Sequence, residues 1–307
     1  MPDSLDVDVH VEHSTDLSDD EHPEQKMVGH GSWVLRTIAE FAPDATYHFY
    51  RIETNELALQ RGSNTIPEGR LIDAFDAADS DDLDLLNVSG GVYHHRCDRE
   101  CEIATFLAED VEGDHLTVAA AGNRNAKSEL KHVLCPALRE QTLAVSGYVP
   151  RCTHDYVDDR SSDQIWADLT SVPKVEKVGA QQKVCGFGQC APGHSCGTAR
   201  SETWFPLCAL PAGGKPDLLA PVYYPHVTEK WSYLMPGTSY ATPVVTGLLA
   251  AILSDVDRAF DAAELLEAVR DTARTPDDLD EPNFSTAQAK FDVAATREQL
   301  AGSQPSR

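Results

Sequence analysis

Ser239, His30 and Asn123 are the residues whose types and settings could do chemistry together. Ser239 lies in PGTSYATPVVTGLLAAIL (236–253), where a turn of small residues runs into an apolar helix. Such a turn makes a good helix N-cap. A hydroxyl at a helix N-terminus also sits where negative charge is favoured, which is one way to make a nucleophile. A nucleophile needs a base. His30, with glycine on both sides in GHGSWV (29–34), can be approached closely by other backbone and opens a helical pattern. Asn123 closes the apolar run VAAAGN (118–123). An amide there serves a turn or aims at a developing oxyanion, where one donor is worth roughly 3–4 kcal/mol in rate. Each of these settings alone is ordinary. Their joint presence points to nucleophilic acyl transfer.

The motifs, in this order, resemble those of the subtilisin-like serine proteases, the subtilase or peptidase S8 family. GHGSWV resembles the histidine motif HGTxVA and is followed by APDA (42–45). LNVSGG (86–91) resembles the substrate-binding strand, and VAAAGN the oxyanion segment. CPALREQTLAVSGYV (135–149) resembles the Pro-Ala segment and its strand, and KPDLLAP (215–221) the run before the serine loop. PGTSYATPVVTG matches GTSxAxPxVxG, and AKFDVAATREQL (289–300) resembles the closing segment. The resemblance covers nearly the whole chain. It implies Ser239 as nucleophile, His30 as general base and then acid, and Asn123 as an oxyanion donor beside the Ser239 N–H. It also implies that Ser89, Gly90 and Gly91 pair with a substrate strand. Gly90 with Ala120, Ala121 and Gly122 would wall a primary pocket roomy enough for a large apolar side chain. The implied reaction is peptide-bond hydrolysis through an acyl-enzyme, with a protein or peptide substrate and no cofactor needed for catalysis.

The departure from the family is at the acid. Where the family carries Asp-Ser/Thr-Gly after its first strand, this chain has Glu12-His13-Ser14, with Asp16 four residues on and His22-Pro23 beyond. Glu12 is the expected orienting carboxylate, since a Glu fills that role in some α/β-hydrolases. Asp16, read as a loop residue, and Asp8, about 13 Å back along the strand, are the alternatives. The rival reading, a catalytically degraded scaffold that binds peptides or a partner protein, rests on this substitution.

The elements that must position these groups alternate between two periods. Val7, Val9 and Val11 read as a strand, with turn and loop from Ser14 to Glu21. Helical patterns cover 30–42, 70–78 and 101–110; strand patterns cover 47–52, 83–91, 115–125 and 142–149. Helices follow near 239–254 and 261–274. This alternation predicts an α/β fold: a mostly parallel central sheet with helices on both faces, a three-layer sandwich. The expected organisation is one domain over 1–307, with a cysteine-rich insert at 151–214 and a frayed tail from 301.

Composition narrows the class further. Fifty acids against 25 bases give a net charge of −25 over 307 residues. Such a surface repels phosphate backbones, which disfavours nucleic acid, and repels itself unless salt screens it. An acid-dense, lysine-poor chain suits a salt-rich, halophilic cytoplasm. No apolar run reaches 18 residues, so no transmembrane helix is expected. The acidic start shows no leader or propeptide pattern, so a cytoplasmic location is expected, with secretion second. Eight cysteines are present. Cys185, Cys190, Cys196 and Cys208 fall in the insert at C-x4-C-x5-C-x11-C, which fits no tight zinc template. Disulfides closing the insert are the preferred reading and zinc the runner-up; structural zinc or calcium is left open. His94, His95, Cys97 and Cys101 form a second possible cluster.

Overall fold

The structure, a computed structural model, describes residues 10–17, 30–52, 68–92, 101–109, 115–122, 133–148, 215–221, 223–227, 232–256, 258–274 and 289–302. Along the chain these form β1 (His10–Asp16), α1 (His30–Phe41), β2 (Thr46–Arg51), α2 (Glu68–Asp79), β3 (Leu85–Val88), α3 (Glu102–Glu109), β4 (Leu116–Ala120), β5 (Leu143–Tyr148) and β6 (Leu218–Pro221). They continue with β7 (Tyr223–Val227), β8 (Ser232–Pro236), α4 (Thr238–Asp255), α5 (Ala262–Thr272), β9 (Ala289–Lys290) and α6 (Val293–Gly302). Strands β3, β4, β5, β6 and β9 lie side by side in that order, all parallel. β1 and β2 form a parallel pair, and β7 and β8 an antiparallel hairpin ahead of α4.

Period-two alternation assigns the two faces of the main sheet. Leu116, Val118, Leu143, Val145, Leu218 and Ala220 face one side and pack with α4, α5 and α6 through Ala241, Val245, Leu249, Leu265, Val269 and Leu300. Ala119, Ala121 and Ala144 face the other and meet Leu71 and Phe75 of α2 and Ile103 and Leu107 of α3. A sheet buried on both faces by helices is the expected three-layer α/β architecture. The alanines on the second face leave room for the large side chains of α2 and α3 to reach the strands.

The KPDLLAP segment ties these layers together. Asp217 Oδ2 accepts from Lys215 Nζ at 2.7 Å and from the Ala144 N–H at 2.7 Å, and Oδ1 accepts from Arg270 Nε of α5 at 3.0 Å. Lys215 is 4% exposed and also donates to the Thr142 carbonyl at 2.5 Å. One carboxylate thus joins β5, β6 and α5. A buried charge needs such complete pairing, and removing one partner would strand the others. Asp261 caps α5 by accepting from the Glu264 N–H at 2.7 Å.

One expectation is corrected here. Within the described residues β1 spans His10–Asp16 and so runs on past Ser14, where turn and loop were expected; Val7 and Val9 lie outside them. Its polar half is held by parallel pairing down to Asp16 with Arg51, a backbone constraint that side-chain alternation does not reveal. The ladder shifts between Val11 and His13, making Glu12 the extra residue of a bulge. The final helix runs to Gly302. Other expected elements are observed within a few residues of their predicted bounds. The insert 151–214, residues 303–307, and Asp8, His94, His95 and Cys97 lie outside the described residues. No helix among the described residues is long and apolar enough to cross a membrane.

α1 crosses α4 at close range, and one glycine permits it. A Cβ on Gly247 would lie 2.9 Å from the Ile38 carbonyl oxygen and 2.9 Å from Phe41 Cβ. Backbone cannot swing aside as a flexible side chain can. Gly247→Ala is therefore expected to destabilise the fold by about 1–3 kcal/mol in urea unfolding. Gly302→Ala, where nothing lies within 4 Å, serves as the neutral control. Equal stabilities for both variants would mean that the helices separate at no cost.

Candidate active site

The serine turn is built by its neighbours. Gly237 has φ 145° and ψ 156°, a conformation open to glycine and barred to side chains. Its carbonyl accepts from the N–H of Tyr240 at 2.9 Å and of Ala241 at 3.2 Å, which starts α4. Gly237 is therefore the N-cap, and Ser239 lies one residue inside the helix. The bland role of capping residue does not fall to Ser239. Thr238 and Tyr240 on either side are buried, while Ser239 is half-buried. Pro243 has no N–H to give the Ser239 carbonyl, so that backbone bond of the first turn is missing.

A ladder of threonines sets the rotation of α4. Thr242 Oγ1 donates to the Thr238 carbonyl at 2.7 Å, and Thr246 Oγ1 lies 3.1 Å from the Thr242 carbonyl. Thr246 Oγ1 also donates to Asn87 Oδ1 on β3 at 2.9 Å, and Asn87 Nδ2 donates to Ser89 Oγ at 3.0 Å. At the top of the ladder Thr238 Oγ1 accepts from the Gly122 N–H at 3.2 Å. The end of β4 is thus fastened to the residue before Ser239. Asn123, the next residue after Gly122, lies outside the described residues. Thr238, Thr242, Thr246 and Asn87 were not among the expected site residues. The recurrence of threonine every fourth position on an otherwise apolar helix was the available signal.

His30 is the first residue of α1. Its ring stands 5.3 Å from the ring of Tyr240, tilted by 59°. Two helix N-termini therefore converge, one opening with His30 and the other with Thr238-Ser239. The His30 side chain retains solvent access, yet protein packed around it makes the charged form costly and lowers its pKa below the ordinary 6.5. A neutral imidazole is the form that accepts a proton.

The carboxylates divide between two faces of β1. Val11 and Tyr47 pack with α1, and Phe49 lies against Gly31. Ser14 pairs with Phe49 and Asp16 with Arg51, so by alternation both share the face turned to α1. The bulge leaves Glu12 on the opposite face. Its side chain is 63% exposed, with Oε2 3.7 Å from His48 Nε2. His48 Nδ1 in turn lies 3.0 Å from Asp81 Oδ2, which also accepts from the Tyr50 hydroxyl. Among the described residues Glu12 makes no contact with His30. Asp16 Oδ2 pairs with Arg51 Nη1 at 3.0 Å.

The expected substrate segments lie beside the serine helix. Ser89 and Gly90 are half-buried and Gly91 is buried, just past β3. Ala120, Ala121 and Gly122 are buried at the end of β4. The Ala121 N–H donates to the Val145 carbonyl at 2.8 Å and its carbonyl accepts from Leu134 at 3.0 Å, so its backbone is committed to the fold. Among the described residues no group of His, Cys, Asp and Glu has the arrangement of a metal site. Cys185, Cys190, Cys196 and Cys208 lie outside them.

With this geometry in hand, comparison with known proteins is direct. The model of the Subtilase family matches residues 2–297. No curated protein matches the chain. Among solved structures, the prenylagaramide maturation protease PagA superposes with a TM-score of 0.60 at 18% identity, over 96% of this chain and 87% of that one. The patellamide maturation protease PatA gives 0.56 at 17%, over 97% and 99%. The subtilase cytotoxin SubAB gives 0.53 at 15%, over 97% and 91%. At these identities the likeness is one of fold.

The Thr238 hydroxyl is the joint between β4 and α4. Thr238→Val keeps the shape but leaves the buried Gly122 N–H without its acceptor. The expected loss is about 1–3 kcal/mol of stability, measured by thermal and urea unfolding. A neutral result would show that the two elements are held by packing alone.

Proposed function

The chain belongs to the subtilase family, and from that premise we propose that it is a serine endopeptidase acting on protein or peptide substrates. Ser239 attacks the scissile carbonyl, and His30 accepts its proton and returns it to the leaving amine. The tetrahedral oxyanion meets the Ser239 N–H at the start of α4 and the amide of Asn123. Water then releases the acyl group by the same route in reverse. The observation that carries this reading is the contact of the His30 ring with Tyr240, the residue beside Ser239.

For the orienting acid, the face of β1 favours Asp16 over Glu12. Asp16 lies on the side turned to α1, whereas Glu12 lies with His48 on the other. The second reading, a peptide-binding scaffold without turnover, is favoured by that same engagement of Glu12. Substrate backbone is proposed to add as a strand beside Ser89, Gly90 and Gly91, with Ala120, Ala121 and Gly122 behind the pocket.

Hydrolysis of a peptide substrate separates these readings. Ser239→Ala is expected to abolish turnover. Asp16→Asn is expected to lower kcat by about four orders of magnitude, as loss of the acid does in a Ser-His-Asp triad, while Glu12→Gln stays near wild type. The reverse ranking would return the role to Glu12. No turnover by folded wild type would favour the scaffold. A second expectation concerns pH. Burial disfavours the charged His30, so the base remains neutral at lower pH than a free histidine. The acid limb of kcat/KM should have its midpoint below 6.5. A midpoint above that value would mean a carboxylate outweighs the burial.

A further inference from the structure

Two cysteines far apart in sequence meet behind the expected substrate strand. Cys101 immediately precedes α3, and Cys135 lies 1% exposed in the segment before β5. Their sulfurs are 3.6 Å apart, a non-bonded contact. Three donors converge on this pair. Arg139 Nη2 lies 3.0 Å from Cys101 Sγ, Arg139 Nε lies 3.5 Å from Cys135 Sγ, and the Ala104 N–H in the first turn of α3 lies 3.3 Å from Cys101 Sγ. A guanidinium is always charged, and cations and helix N-termini favour the thiolate, the reactive form of cysteine. Cys101 is half-buried, less enclosed than Cys135, and its sulfur receives two of these three donors.

We propose that Cys101 and Cys135 are a redox-active dithiol, with Cys101 as the attacking thiolate and Cys135 as the resolving thiol. The oxidant is a hydroperoxide. The Cys101 thiolate attacks the terminal oxygen, the O–O bond breaks, and hydroxide or alkoxide leaves, giving a sulfenic acid. The Cys135 sulfur then attacks Cys101 Sγ, the S–O bond breaks, and water leaves as the disulfide forms. With hydrogen peroxide, two thiols and one peroxide become one disulfide and two waters. Bonding requires the sulfurs to close from 3.6 Å to about 2.05 Å, a movement of side chains and a short loop.

The bond would reach past the two residues. The Cys135 carbonyl accepts from the Val92 N–H at 2.9 Å, and the Cys135 N–H donates to the Val92 carbonyl at 3.1 Å. Val92 follows Ser89-Gly90-Gly91 directly. Closure therefore fastens α3, through Cys135, to the segment continuing from that strand, and closes a long loop that includes β4.

The test uses the full chain. Reduced protein is exposed to stoichiometric hydrogen peroxide, quenched with a thiol-blocking reagent, digested and mapped by mass spectrometry. A cross-linked peptide pair joining Cys101 to Cys135, about 2 Da lighter than the reduced pair and reversed by dithiothreitol, is expected. Oxidation should also raise Tm, and Cys135→Ser should abolish the shift while leaving Cys101 as a trappable sulfenic acid. Alkylation of Cys101 by iodoacetamide at neutral pH should slow about tenfold in Arg139→Gln and largely recover in Arg139→Lys, which keeps the charge. Cross-linking of Cys101 to another cysteine, or resistance of both to peroxide, would overturn the proposal. An alkylation rate unaffected by Arg139→Gln would overturn the role of Arg139 in making the thiolate.

Discussion

The hydrogen bond from the Gly122 N–H to Thr238 Oγ1 is the contact on which the rest of the site depends. It joins the end of a central parallel strand to the first residue of the helix that carries Ser239. Both partners are buried, so neither can exchange the bond for one to water, and breaking it leaves a stranded donor. The serine is therefore not positioned by a loop. It stands one residue from a fixed point of the sheet, with a glycine-only turn behind it and a threonine ladder below.

His30 is brought to this point by packing rather than hydrogen bonding. α1 lies against α4 so closely that Gly247 has no room for a Cβ, and the face of α1 opposite β1 and β2 is filled by Val34, Leu35 and Ile38 with Tyr47. Packing of this density fixes the distance between the two helices, and so the separation of their first residues. His30 is the first residue of one helix and Ser239 the second of the other. Protein packed around the ring also lowers its pKa.

Much of this was legible in the residues. The PGTSYATPVVTG run is apolar enough to demand burial and places a glycine in the turn before the helix, where φ is positive, so both α4 and its serine could be read directly. The parallel sheet followed from apolar strand segments alternating with helical ones. What could not be read was cooperative. The polar half of β1, VEHSTD, has no strand pattern of its own and exists through its ladder with Tyr47–Arg51. The bulge at Glu12 exchanges the faces of the residues around it, which no alternation rule foresees, and it turns the family-aligned carboxylate away from α1. The meeting of Cys101 with Cys135 spans β4 and is set by how α3 packs on the sheet, so spacing along the chain carried no sign of it.

The central claim is that convergence of two helix N-termini makes Ser239 a nucleophile with His30 as its base. Covalent labelling with a fluorophosphonate, followed by mass mapping of the adduct, tests it most directly. The expected result is a single phosphonylated residue, Ser239, with labelling lost in Ser239→Ala and strongly slowed in His30→Ala. An adduct on a different residue, or no adduct on folded protein, would contradict it.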